Sequence, residues 1–130
     1  MEYTFAGWLH VRDYGEAMDV LMLDTGHRDY YNGDPLAKRL QDELDLPCTA
    51  SVRYYITKSS MTLEQAQEAY IRQYYRYGDV DAKYIDRYSE ITGYLWTDEE
   101  LNVGGHDLLS ELRTYGGKYL ILVVEVGDTQ

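Results

Sequence analysis

The residue pattern predicts an α+β domain: a mostly antiparallel sheet of five or six strands, with two or three helices packed on one side. Three observations carry that expectation. The first twelve residues alternate in character, two internal segments open on helix-capping residues, and Lys118 to Val126 is apolar at nearly every position. With 130 residues and 15.2 kDa, the chain is expected to fold as a single domain, 1–130, around one core.

The elements follow in order. Tyr3, Phe5, Gly7, Leu9 and Val11 share one side of an extended segment, and Thr4, Ala6, Trp8, His10 and Arg12 share the other. Asp13-Tyr14-Gly15-Glu16 reads as a turn, and Met18 to Leu23 as a strand returning beside the first. Asp24 to Gly33 reads as a contact loop, with His27, Arg28, Asp29, Tyr30 and Tyr31. Asp34 and Pro35 suit the cap and first position of a helix in which Leu36, Leu40 and Leu44 recur every fourth residue. Lys38/Asp42 and Arg39/Glu43 are spaced for i,i+4 pairs on its outer side, and Pro47 ends it. Ala50, Val52, Tyr54 and Ile56 then alternate with Ser51, Arg53, Tyr55 and Thr57 as a third strand.

Thr62 and Gln65 form a capping box, with Met61 placed to staple onto Ala66. The helix they open carries Leu63, Ala66, Ala69 or Tyr70, Tyr74 and Tyr77 on one stripe and closes at Gly78. Residues 79–89 read as loop or edge strand, Glu90 to Thr97 as strand, and Asp98-Glu99-Glu100 as a turn before a short extension at Leu101 to Val103. Gly104-Gly105 leads into a short helix from about Asp107 to Tyr115, which Gly116-Gly117 breaks. The last strand is apolar on both faces, so it belongs near the middle of the sheet.

Composition narrows the function. Fifteen tyrosines accompany one phenylalanine and two tryptophans, on a chain with 23 Asp+Glu, 12 Lys+Arg and a net charge of −11. Tyrosine suits half-buried positions and interfaces, where the ring packs and the hydroxyl meets water or a partner. The charge repels nucleic acid and anionic membrane, and attracts basic protein surfaces. No apolar run approaches the length of a membrane span, and the N-terminal residues lack the pattern of a secretion signal. Cys48 is the single cysteine, which excludes a disulfide framework within the chain and a thiolate metal cluster. A cytoplasmic location is the expectation.

No catalytic, metal or cofactor constellation is legible. His10, His27 and His106 lie in different elements without ligand spacing. The most enzyme-like patch is Gly104-Gly105-His106-Asp107, where a glycine turn at a helix start could hold a small anionic ligand or nucleotide and His beside Asp could move a proton. The plainer reading makes the glycines a turn and Asp107 or His106 a helix cap. The interleaved tyrosines and carboxylates between Tyr70 and Tyr94 suggest a contact surface, and the candidate partner-binding residues are Tyr75, Asp79, Asp81, Asp86, Asp98, Glu99 and Glu100.

The segments SVRYYITKSSMTLEQAQEAYI (51–71), SEITGYLWTDEELNVGGHDLLSEL (89–112) and GKYLILVVE (117–125) give the chain a further likeness. It resembles small acidic proteins of uncharacterised function carried by phages and integrative elements of gut Firmicutes. That resemblance implies no site residues. It implies a context in which small acidic proteins inhibit host defence enzymes, such as CRISPR effectors or restriction systems. The expectation is therefore a non-enzymatic acidic binding protein that inhibits a basic, nucleic-acid-handling complex by mimicry or steric block. A small-ligand protein using Gly104 to Asp107 is the alternative, and an accessory protein whose acidity only keeps it soluble is a third. An open sheet also leaves two edges unless another copy of the chain covers them.

Overall fold

Five consecutive side chains near the end of the chain, Leu120 to Val124, have no solvent exposure at all, so the strand that holds them needs cover on both faces. The computed structural model describes residues 1–13, 19–24, 34–75, 85–97 and 101–127. Along the chain these form β1 (Glu2–Asp13), β2 (Asp19–Asp24), β3 (Asp34–Pro35), α1 (Leu36–Glu43), β4 (Cys48–Thr57), α2 (Leu63–Tyr75), β5 (Ile85–Thr97), β6 (Leu101–Val103), β7 (His106–Asp107), α3 (Leu108–Arg113) and β8 (Tyr119–Val126). The strands make one sheet in the order β3-β2-β1-β8-β4-β5-β6-β7, antiparallel at every junction. Six are true strands, and β3 and β7 are two-residue extensions at the edges. The α+β class, the strand count and the central place of the last strand agree with the sequence expectation.

The two faces differ. Leu120, Leu122 and Val124 of β8 join Phe5 and Leu9 of β1, Val52, Tyr54 and Ile56 of β4, Leu36 and Leu40 of α1, and the three leucines of α3 in the larger core. Ile121 and Val123 point the other way and meet Tyr55, Ile85, and Ala66 and Ala69 of α2 in a smaller one. Two helices thus cover one face, and α2 covers the opposite face, where the sequence expectation had placed the helices on one side only. The capping box predicted at its start is formed: Thr62 N–H donates to Gln65 Oε1 at 2.9 Å, and Gln65 N–H to Thr62 Oγ1 at 3.1 Å. Met61 packs on that smaller core, as a staple should.

Three local expectations need correction. Asp34 and Pro35 do not start α1: they pair with Leu23 and Met22 of β2, and the helix begins at Leu36. An outermost strand is where a proline, which has no N–H to give to a ladder, is tolerated. The i,i+4 pairs on α1 do not close: among the described residues no ion pair includes Lys38, Asp42, Arg39 or Glu43, and Arg39 instead lies over the Phe5 ring, 5.8 Å from its centre. Strand β5 begins at Ile85, five residues before the expected Glu90. Its pairing with β4 shifts between Ile56 and Thr57, where Arg87 opposes Ile56 but Ile85 opposes Thr57. That bulge makes Asp86 the extra residue and turns Ile85 into the smaller core. The Asp24–Gly33 loop lies outside the described residues from position 25 on, as do Tyr77 and Gly78.

Replacing Leu122 by Ala should cost about 2–5 kcal/mol, because its site between β1 and β4 cannot collapse. Replacing Thr62 by Ala should cost about 1 kcal/mol through the lost cap. Urea unfolding curves of the two variants measure both, and equal midpoints would contradict the central burial of β8.

Candidate functional site

The densest polar cluster among the described residues gathers side chains from four elements, β4, β5, β7 and α3. Tyr54 projects from β4 into the larger core and is itself fully buried. Its hydroxyl donates to Glu111 Oε1 on α3. Arg87, from β5, donates through Nε to the Tyr54 oxygen and to Glu111 Oε1, both at 3.1 Å, and through Nη2 to the same carboxylate oxygen at 2.9 Å. His106 Nε2 lies 2.5 Å from the other oxygen, Glu111 Oε2. One carboxylate is therefore held by a phenol, a guanidinium and an imidazole.

The turn that presents this cluster is set by glycine. Gly104 and Gly105 have φ of +58° and +86°, a region that other residues adopt at a cost. A side chain on Gly93 of β5 would meet the Gly104 Cα at 2.6 Å, so the two chains can cross there only as glycines. The crossing fixes β6 beside β5, with β7 beyond it, and delivers His106 to Glu111.

The electrostatics follow from the geometry. Burial, then the hydrogen bond to Glu111, push the Tyr54 hydroxyl up to about 12. Burial would raise Glu111 as well, but hydrogen bonds from Tyr54, His106 and Arg87 outweigh it and hold the carboxyl below its ordinary range. Hydrogen bonding to Tyr54 and then to Glu111 raises Arg87, so its charge is permanent. At neutral pH the tyrosine thus keeps its proton and the carboxylate has its strong donors in place. Neither is poised as a general acid or base. The cluster clamps α3 onto the sheet.

Gly104, Gly105, His106 and Asp107 are brought together as the sequence suggested, but their binding groups are already used. Gly104 N–H donates to the Tyr94 carbonyl at 3.0 Å, and Gly105 N–H to Asn102 Oδ1 at 2.9 Å. Asp107 is the cap of α3, accepting from Leu109 and Ser110 N–H at 3.2 and 3.5 Å. His106 is spent on Glu111. Of the candidate partner-binding residues, Asp86 is ion-paired with Lys118. Tyr75 is the last residue of α2, and Asp79, Asp81, Asp98, Glu99 and Glu100 lie outside the described residues. No three His, Cys, Asp or Glu side chains among the described residues could share a metal ion, and no described helix is long and apolar enough to cross a membrane.

Sequence reasoning missed a groove. It has a volume of about 610 Å³ and runs between the end of α1 with the following Asp45-Leu46-Pro47 segment on one side and Tyr94, Trp96 and Thr97 of β5 on the other. Gln41 Nε2 donates to Thr97 Oγ1 at 2.6 Å and ties the two walls. Tyr94 is 55% exposed, one of the most exposed large apolar side chains. The alternation of the strand, which carries Leu95 into the core, turns Tyr94 outward. On the same side of the sheet as Tyr94, Tyr88 stacks against Tyr70 at 4.4 Å between ring centres and against Tyr55 at 5.0 Å. That accounts for part of the tyrosine surplus as packing. Comparison with known proteins finds no matching family model, no significantly similar curated protein and no significantly similar solved structure.

Replacing Tyr54 by Phe should cost about 1–2 kcal/mol at neutral pH, since Arg87 and His106 still hold Glu111. The sign with pH is fixed. A hydroxyl raised to about 12 stabilises fully below its ordinary value of 10, and the benefit is lost as the pH rises through 12. The gap between wild type and variant should therefore narrow above pH 10 in unfolding experiments. Glu111 behaves oppositely: its contribution is complete above 4.5 and is lost as the pH falls through its lower folded value. A Glu111→Gln variant should show a flatter loss of stability in acid than wild type.

Proposed function

We propose that this protein works by binding rather than by catalysis, and that its partner is a basic protein surface of the kind that handles nucleic acid. The observation that carries this reading is the end of α1. Asp42 and Glu43 in its last turn and Asp45 just beyond are all exposed, no basic residue stands in that turn, and none of the three makes an ion pair among the described residues. Carboxylates are unfavourable at a helix C-terminus, where the peptide dipoles already sum to a negative end. Each costs the isolated fold a few tenths of a kcal/mol that an approaching cation would recover. The net charge of −11 extends the same field over the whole molecule.

The densest polar cluster among the described residues is given over to holding α3 on the sheet, which supports binding over chemistry. The likeness to small acidic proteins of mobile elements supports a host defence complex as the target, with steric block or nucleic-acid mimicry as the mode. A channel built for a phosphate backbone attracts carboxylates largely regardless of sequence.

The test is capture of partners from host lysate on tagged protein, with stepwise salt elution and identification of what is released. A nucleic-acid-binding complex leaving between low and moderate salt is the expected result. The triple variant Asp42→Asn, Glu43→Gln, Asp45→Asn should release it at lower salt and bind it with a flatter salt dependence, while its thermal stability stays equal or rises slightly. Unchanged retention of the partner by that variant would remove the end of α1 from the interface, and a bait that captures no basic partner would refute the reading itself.

A further inference from the structure

Resting on that reading, we infer that the groove between the end of α1 and the end of β5 is the receptor for an arginine side chain of the partner. Its chemistry selects a planar cation. Trp96 and the exposed Tyr94 line one wall, Asp45 lies on the other, and none of the lining residues carries positive charge. An aromatic face attracts a cation through the ring quadrupole, and a nearby carboxylate completes the contact by hydrogen bonds. Guanidinium meets both demands at once, since it stacks flat on a ring while its edge pairs with a carboxylate. A lysine ammonium satisfies only the charge. The C-terminal end of α1 adds its partial negative charge at the same place.

The dimensions agree. About 610 Å³ is more than one side chain fills, so the groove takes an arginine together with a short length of flanking backbone. The walls are held ready: Leu44 on one side and Leu95 beneath the other belong to the buried core, and the Gln41–Thr97 hydrogen bond spans the gap. A preformed site loses little freedom on binding. The occupant is a basic segment of another protein rather than a second copy of this chain. Two copies would bring together −11 and −11, and their fields would oppose the contact.

The experiment is an NMR titration of isotope-labelled protein with a blocked six-residue peptide containing two arginines. The same peptide with lysine, and with citrulline, which keeps the shape of arginine without its charge, serves for comparison. The indole N–H signals of Trp8 and Trp96 are told apart by a Trp96→Phe variant. The expected result is a saturable shift of the Trp96 signal with the arginine peptide and an unmoved Trp8 signal. Lysine should bind about threefold more weakly and citrulline about tenfold more weakly, in line with the worth of a cation over an aromatic ring. Tyr94→Ala, an exposed position whose loss leaves the core intact, should weaken arginine binding about fivefold, and Asp45→Asn by a similar factor. Equal response to citrulline, or no response at about 10 mM peptide, a concentration above any affinity worth 3 kcal/mol, would overturn the inference. The groove and the broader reading fail separately. If the captured partner is lost by the triple carboxylate variant but kept by Tyr94→Ala and Trp96→Ala, the groove is refuted and the basic partner stands.

Discussion

The structure depends on the burial of β8 from both sides. A strand whose five middle residues all lack exposure cannot sit at an edge or present a face to water. Its neighbours β1 and β4 must therefore flank it, and helices must cover the sheet above and below. Face by face, the rest is a consequence. The side of Leu120, Leu122 and Val124 is covered by α1 and α3, and the side of Ile121 and Val123 by α2. Because α2 carries Ala66 and Ala69 toward the sheet, it sits close, and the tyrosines around it fill the space at the margin.

How much of this could be read from residues alone follows a physical line. Local signals were legible: the Thr62–Gln65 box, the Gly104-Gly105 turn, the Asp107 cap, and the two-sided apolar run of the last strand. Each depends on residues within a few positions of one another. What failed was decided by distant partners. Asp34-Pro35 has every mark of a helix start, yet β2 takes it as an edge strand. The first half of β5 hid because a bulge at Asp86 breaks its alternation. Tyr54, Arg87 and Glu111 are separated by 33 and 24 positions, so no spacing rule joins them, and only the stacking of α3 over β4 and β5 makes them one cluster. The groove was invisible for the same reason, since Asp45 and Trp96 meet only after the sheet has formed.

Two kinds of charge emerge from the fold. Glu111 is inside, matched by three donors, and its worth is structural, because removing any one donor leaves the others. Asp42, Glu43 and Asp45 are outside, without an ion-pair partner among the described residues, at the end of a helix that repels them. A sequence shaped for stability alone would have placed lysines there, as it placed Asp107 at the start of α3. A local rule is kept where the fold is held together and broken where a surface faces outward. In the proposed reading that contrast marks the charge at the end of α1 as functional, because solubility is served equally well by carboxylates at helix starts.

In the interface proposed above, the aromatic and acidic residues at one groove divide the work of recognition in time. Long-range charge raises the rate at which a basic surface arrives, and it fades as salt shortens the Debye length to about 10 Å at 0.1 M. Stacking on Trp96 and Tyr94 acts only after contact, is little screened, and sets how long the complex lasts. A purely acidic surface would bind every basic protein quickly and hold none. Adding a shaped aromatic wall makes residence depend on a planar cation being presented in the right place. In that proposed interface selectivity resides in the rings of Trp96 and Tyr94, and the carboxylates supply reach.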